Sequence, residues 1–422
     1  MSDVMNVKKE KNYFNVFWIS QSISMFGSQI TVVGLPLTAI YYLNADSSQM
    51  GIFQALATLP FFLFSLFAGV WIDRSRKKYL LILCNILLAT SLLFIPLGAH
   101  FNFLNLTIFY LVVFCAGTFS MIFELAYLSY LPLLVSKENL TKGNSKLEIS
   151  RTILDISGPA IAGNIIAIFT APIAIIIDIF CYIISSIFLI NIKITESIKK
   201  NNNSTNILKQ IQEGLNLLFR NPILRNISIS TALLNFFRTA FDTIFLLFLV
   251  KSLFLTASKI GLILSLGSIG GIVGAFLATK ISGKIGIGRS IIGSTLMVWL
   301  GGCIIAIFGG NSLFSVSLII IGQIFVNFGN TVYFITQVSL RQSITPINIL
   351  GRVNASNRFL TRGAMPLGGI FGGCLGVFLS LKASLIIITF GYIFAFILLL
   401  LSPVKKIKII SDAEEFVGKD LK

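Results

Sequence analysis

Acidic residues are scarce in this chain. It carries 16 Asp and Glu against 33 Lys and Arg in 422 residues, only 12% of it is charged, and His100 is the single histidine. Soluble proteins hold about a quarter charged residues, so this composition excludes a soluble enzyme. One histidine and dispersed carboxylates give no metal centre and no hydrolase site, and no cofactor is expected. The five cysteines (Cys84, Cys115, Cys181, Cys303, Cys374) lack the paired spacing of a metal or redox motif and fall inside apolar runs. They read as small, reduced core residues.

Apolar residues fill the space that charge leaves. The chain is 55% hydrophobic with 38 Phe, and its mean hydropathy is +0.89. Apolar stretches near 20 residues, each able to cross a ~30 Å hydrocarbon core as a helix, recur along the chain. The reading is an all-α polytopic membrane protein with twelve spans, near 14–42, 50–72, 79–98, 105–131, 149–169, 172–194, 223–250, 259–282, 290–309, 313–338, 352–378 and 382–401. The weakest separations are Thr170 to Ala171 and Ser380 to Leu381. Lys8, Lys9 and Lys11 precede the first segment without a small-residue cleavage site, so a retained span is expected there, not a signal peptide.

The +17 formal charge tests the count. Assigning alternate loops to opposite sides puts 29 of the 33 cations on the side of the N-terminus, leaving Lys251, Lys259 and Lys382 opposite and Arg238 within a span. Cytoplasmic loops carry the Lys/Arg excess. Both termini are therefore expected in the cytoplasm of a bacterium, with the protein in its cell membrane, and the basic balance calls for no nucleic acid.

The one long polar stretch, Thr195 to Asn221, divides the spans six and six. The expected organisation is a six-helix bundle over 1–194, a linker over 195–222, a second bundle over 223–402 and a tail over 403–422. Ile207, Ile211, Leu215 and Leu218 follow helical spacing, which suits an amphipathic helix at the interface or a plain linker. The halves are weakly similar at offsets of 207 to 210: Ala45 to Gly51 matches Leu255 to Gly261, and Arg151, Asp155 and Pro159 precede Arg358, Arg362 and Pro366 by 207. Such parallel six-span repeats are a transporter architecture.

Between the second and third spans the chain reads Gly69-Val70-Trp71-Ile72-Asp73-Arg74-Ser75-Arg76-Lys77-Lys78. A tight cytoplasmic turn uses Gly for close approach, a carboxylate that caps or pairs, and cations that meet helix C-termini and lipid phosphate. The string resembles the loop motif of the major facilitator superfamily, with Arg76 where the family usually has Gly. In the fifth span Gly158, Pro159 and Gly163 resemble the Gly-Pro motif of exporters in that superfamily, with Asn164 in place of a second Gly. Together with Gly363 to Gly369, Leu350, Gly351, Arg352 and Val353, this looks like the macrolide-exporter and siderophore-exporter branch. The resemblance implies two six-helix bundles, alternating access and efflux, with Gly69, Asp73, Arg74, Arg76 and Lys77 as a cytoplasmic gate. Several exporter branches also carry an Arg in the fourth span linked to proton coupling; here Leu106 to Leu131 has none and has Glu124.

Charges at membrane depth are costly, about 3 kcal/mol on insertion scales, and mark a pathway or a pair. Arg238 and Asp242 stand four apart on the seventh span, as a structural pair or as a proton-exchanging one. Glu124 has no partner on its own helix and needs one, or water, or a proton. Asp178 reads as a packing carboxylate. Glu148, Arg151 and Asp155 share a face toward the cytoplasmic end, where gating salt bridges and substrate contact are equally open. Gln29, Gln323, Asn327, Asn330 and Tyr333 are helix glue or substrate lining, and Phe237 and Phe241 beside Arg238 suit a bulky amphiphile. Gly283 to Ser290 nearly matches a phosphate-binding loop, but Arg289 replaces its Lys and no strand-helix domain surrounds it.

The expected function is proton-coupled efflux of a small amphiphilic compound (a drug, a macrolide-like molecule or a siderophore) by a monomeric secondary transporter. The alternatives are nutrient uptake or uniport on the same fold, and a membrane enzyme or non-transporting sensor.

Overall fold

A computed structural model of the chain describes residues 2–73, 75–135, 140–193, 207–345, 350–409 and 412. Thirteen α-helices account for nearly all of these: α1 Ser2–Leu37, α2 Ser47–Asp73, α3 Lys77–His100, α4 Leu106–Leu134, α5 Leu140–Phe169, α6 Ala171–Ile190, α7 Ile207–Arg220, α8 Pro222–Leu247, α9 Ala257–Ile285, α10 Ile287–Phe308, α11 Leu313–Ile344, α12 Leu350–Phe378 and α13 Leu381–Leu401. All but α7 are long. Among the described residues ten helices are long and apolar enough to cross a membrane; in α12, glycines and three arginines lower the hydropathy. Helix α5 begins nine residues before the expected span, because helical hydrogen bonding continues past Lys142 and Lys146, where hydropathy has already fallen.

Local chemistry sets the helix ends. Asn105 Oδ1 accepts the Ile108 N–H at 2.9 Å to open α4, and Asn221 Oδ1 accepts from Ile223 and Leu224 at 2.9 and 3.1 Å ahead of Pro222 in the first turn of α8. These are N-caps that satisfy otherwise orphaned donors. The two weak separations are real breaks. Thr170 turns the chain at φ 74° before Pro172 in the first turn of α6, and Ser380 Oγ caps α13 through Ala383 N–H at 3.2 Å. Lys78 Nζ donates to the carbonyls of Ile190 and Ile192 at 2.9 and 2.6 Å, closing the C-terminal end of α6 with a cation.

The repeat is explicit in the backbone. A π-helical turn, Thr38–Tyr42, ends α1, and its counterpart, Phe248–Ser252, ends α8. Both lie 210 residues apart, as do the starts of α2 and α9, α3 and α10, α5 and α12, and α6 and α13. In each half the amide after the π-turn reaches back to its first carbonyl, Leu43 to Thr38 at 3.1 Å and Leu253 to Phe248 at 3.0 Å. The sequence pairing of Arg151, Asp155 and Pro159 with Arg358, Arg362 and Pro366 is thus three residues out of step with the folded repeat. Three residues are close to one helical turn, so the wrong register keeps nearly the same face. At 210, Gly158 and Gly163 correspond to Gly368 and Gly373, and Pro159 to Gly369.

Two compact units form. One comprises residues 1–45, 59–202 and 256–262, the other 46–58, 203–255 and 263–422. In the first, α1 packs on α5 and α6, and α3 packs on α4 and α6. Its core joins Phe17, Leu81, Met121, Tyr130 and Leu189, with Phe17 and Tyr130 edge to face at 5.4 Å. Lys146 lies 3.8 Å over the Trp18 ring and bonds Asn15 Oδ1 at 3.1 Å, which holds α5 to α1. In the second, α8 packs on α12 and α13, α10 on α11 and α13, and α7 on α12. Helix α7 realises the expected amphipathic segment, with Leu218 fully buried and Gln212 exposed. Residue 194 and the linker residues 195–206 lie outside the described residues, as do 410, 411 and 413–422 of the tail.

Candidate functional site

Helix α8 carries a polar face of Thr231, Asn235, Arg238 and Asp242, spaced four, three and four. Thr231 Oγ1 meets the Tyr333 hydroxyl of α11 at 2.8 Å, and Asn235 Nδ2 donates to the Thr361 carbonyl of α12 at 3.0 Å. Arg238 Nε then stands 3.7 Å from Asp242 Oδ2, with side chains 43% and 50% exposed. Beside this pair lies an aromatic cluster. Phe236 meets Phe237 at 5.0 Å and Phe371 at 5.2 Å, and Phe237 reaches Tyr392 and Phe394 at 6.3 Å each. Gly391 makes room for it, since a Cβ there would fall on the Phe237 ring. Phe241 is buried and stacks on Phe245 at 5.3 Å.

The other polar residues expected on α11 join helices. Asn327 Nδ2 donates to the Gly267 carbonyl of α9 at 3.2 Å and to the Gln323 carbonyl at 3.0 Å, and a Cβ on Gly267 would stand 2.7 Å from Gln323 Cβ. Tyr333 also donates to the Ile227 carbonyl at 3.3 Å. Asn330 differs, because its side-chain nitrogen is buried and makes no hydrogen bond.

In the first unit the structure brings Gln29 of α1 to the charged face of α5. Gln29 Nε2 donates to Asp155 Oδ1 at 2.8 Å, and its side chain packs over Gly158, where a Cβ would stand 2.6 Å from Gln29 Cβ. Arg151 bridges Glu148 at 3.9 Å and Asp155 at 3.8 Å. Glu124, half-buried on α4, is not isolated. Of the loop motif, Arg74 and the Asp73 side chain lie outside the described residues, and Gly69 lies within α2. Arg76 sits 5.8 Å over the Tyr79 ring, and Lys77 opens α3.

Gly163 of α5 approaches the first turn of α9, so that a Cβ on it would fall on the Ala257 carbonyl and 3.1 Å from Gly261 Cα. The repeat-related pair behaves alike: a Cβ on Gly51 would stand 2.9 Å from Gly373 Cα and 2.8 Å from the Gly369 carbonyl. The sequence motif around Pro159 is thus a helix-packing device in which backbone touches backbone.

Two further polar groups are buried: Asp178, read from the sequence as a packing carboxylate, and Arg341, which the sequence reading did not single out. Asp178 of α6 is fully buried, bonded by Thr31 of α1, with its other oxygen unpartnered. Arg341, counted only as a loop cation, is buried at 7% exposure near the end of α11. One signal was available for Arg341: between Glu213 and Asp412 the sequence holds a single acidic residue, Asp242.

Among the described residues, twelve long helices in a six-plus-six repeat, with a few charges held on helix faces, form the architecture of a polytopic membrane transporter. The Major Facilitator Superfamily model matches residues 17–365, and the chain belongs to that family. It is 24% identical over 212 residues to macrolide efflux protein A of Streptococcus pyogenes, covering 49% of this chain and 51% of that protein, so the match spans about half the relative's length. It is 22% identical over 385 residues to multidrug resistance protein 2 of Bacillus subtilis, covering 88% and 89% of the two chains. The crystal structure of the nucleoside transporter NupG superposes with a TM-score of 0.76 at 15% identity, covering 92% and 98%.

Proposed function

We propose that this chain is a proton-coupled exporter of small amphiphilic compounds, working by alternating access in a bacterial cell membrane with both termini in the cytoplasm. The observation that carries this reading is the Arg238–Asp242 pair, half-exposed within a span and bordered by Phe236, Phe237 and Tyr392. An ion pair turned to lipid is costly, so this face of α8 borders water, and the aromatic cluster offers an apolar surface next to it. Asp242 takes up a proton and frees Arg238; loss of the proton restores the pair. The Glu148–Arg151–Asp155 triad with Gln29 serves as a cytoplasmic gate. The efflux direction is supported by the names of the relatives, macrolide efflux protein A and multidrug resistance protein 2.

The test is accumulation of erythromycin and of ethidium in cells with and without the protein. Lower accumulation that rises when a protonophore collapses the gradient supports the proposal. Accumulation that the protein does not change, for either probe, removes it. Flux in proteoliposomes under an imposed pH gradient separates export from uptake on the same fold.

A further inference from the structure

Arg341 lies in the last turn of α11, buried, and its guanidinium is held by two neutral amides. Nε donates to Asn354 Oδ1 of α12 at 3.1 Å and Nη1 donates to Gln337 Oε1 at 3.0 Å. A guanidinium offers five donors. Among the described residues no carboxylate stands within salt-bridge distance of it. Arg358 stands one turn beyond Asn354 on α12, exposed, and its positive charge acts on Arg341.

Carboxylates are scarce in this half of the chain. From residue 214 to residue 411 the only acidic side chain is Asp242, and Arg238 holds it. The positive-inside tendency accounts for cations exposed in loops, but it does not account for one that is desolvated. Burying a cation is costly unless an anion and hydrogen bonds compensate it. Here the hydrogen bonds are in place, the guanidinium is fixed in orientation, and a second cation adds to the field.

We infer that Arg341, positioned by Gln337 and Asn354 and joined by Arg358, binds an anionic oxygen group, a phosphate or a carboxylate. A guanidinium presents parallel donors that match two such oxygens, which a Lys ammonium does not. An anionic lipid headgroup and a soluble anion offer the same chemistry.

The experiment uses the full chain in nanodiscs of phosphatidylcholine, or of phosphatidylcholine with phosphatidylglycerol, titrated with inorganic phosphate or citrate against potassium chloride of equal ionic strength. Thermal unfolding and calorimetric binding are the readouts. A rise in the unfolding midpoint with phosphatidylglycerol alone assigns the headgroup as ligand. Binding of phosphate or citrate in phosphatidylcholine discs assigns a soluble anion. In either case Arg341→Gln and the exposed-site variant Arg358→Gln weaken the response, roughly tenfold or more in affinity for the loss of a charged hydrogen bond. The exposed variant keeps the test valid where the buried one fails to fold. No response to either anion beyond the chloride control, or an unchanged response in Arg358→Gln, overturns the proposal. Neither readout involves transport, so this inference and the efflux reading fail independently.

Discussion

Asn44 and Phe254, 210 residues apart, hold the same left-handed backbone conformation, φ 54° in each, two residues after the π-turns that end α1 and α8. The left-handed region costs an ordinary L-residue about 1–2 kcal/mol, and Asn tolerates it best after Gly. One half of the repeat therefore has a residue suited to the turn, and the other has a bulky aromatic that is 81% exposed. Replacing Phe254→Asn should raise stability by roughly 1 kcal/mol, seen as a higher unfolding midpoint in detergent. Asn44→Phe should lower it by a similar amount. Equal midpoints for all three proteins would show that the turn carries no strain.

The paired glycines predict steric sensitivity in matching positions. Side chains at Gly261 or Gly163 would meet the backbone of Pro159 or Ala257, and side chains at Gly51 or Gly373 would meet the backbone of Gly369 or Ser47. Backbone cannot step aside as a flexible side chain can. Leu at any of the four should therefore cost about 1–3 kcal/mol from overpacking. Leu at Gly283 or Gly293, where no atom lies within 4 Å of the added Cβ, should be tolerated. Unfolding midpoints of the six variants test the contrast.

Asp46 opens α2 with a capping box. Its Oδ1 accepts from the Gln49 N–H at 2.8 Å and from Ser48 Oγ at 2.7 Å, while Gln49 Oε1 accepts the Asp46 N–H at 2.9 Å. Partial burial pushes the Asp46 carboxyl up. The hydrogen bonds from Gln49 and Ser48 and the charge of Lys251 outweigh that and hold it below the ordinary carboxylate range. A carboxyl lowered by folding adds stability that is full above its unfolded value and is lost as pH falls through the folded one. Asp46→Ala should cost about 1 kcal/mol at neutral pH, and the gap to wild type should close on acidification below the ordinary Asp range. A gap that persists unchanged at the acid end would place the effect outside the carboxylate.

The alternation of Lys and Arg, the polar break near 195–221 and the six-span repeat were legible because they rest on hydropathy and charge, which a chain in a bilayer must display in order. The Arg238–Asp242 pair and the Glu148–Arg151–Asp155 face were legible because both partners lie on one helix, where spacing fixes neighbourhood. What was hidden depends on a second helix. Gln29 reads as a possible lining residue until α5 brings Asp155 to it, and Asn327 until α9 brings the Gly267 carbonyl. The 210-residue register was legible where Ala45 to Gly51 matches Leu255 to Gly261, but in the fifth span it was missed by three residues because the charged and proline side chains that suggested 207 are not the groups that pack. The glycines that do pack have no side chain to stand out.

Asp178 makes a prediction opposite to that of an ordinary ion-pair residue. It is fully buried, it receives a hydrogen bond from Thr31, and its other oxygen makes none. The described salt bridges leave it without a cation. An unpaired buried charge is expensive, while a neutral amide of the same shape avoids that cost. Asp178→Asn should leave the unfolding midpoint unchanged or raise it, and Asp178→Leu, which strands the Thr31 hydroxyl, should lower stability by about 1–3 kcal/mol. A large loss in Asp178→Asn would show that the carboxyl is engaged as an anion.

Arg238 and Asp242 allow structural and coupling roles to be separated by a double-mutant cycle. Breaking a buried pair from one side leaves an uncompensated charge and costs about 3–5 kcal/mol, whereas removing both partners together costs far less. These side chains are half-exposed, so solvent screening should bring the single-variant penalties toward the low end or below it. Asp242→Asn and Arg238→Gln should each destabilise more than the double variant does. Stability alone, however, would follow this pattern for a purely structural pair. The coupling role adds a second requirement: the double variant, though restored in stability, should lose gradient-driven efflux and lose its response to a protonophore. A carrier that exchanges a proton at Asp242 has no group to protonate once that carboxyl is gone, however well the helix packs. Efflux that still follows the gradient in a stable double variant would assign the pair to packing and move the proton to another carboxyl.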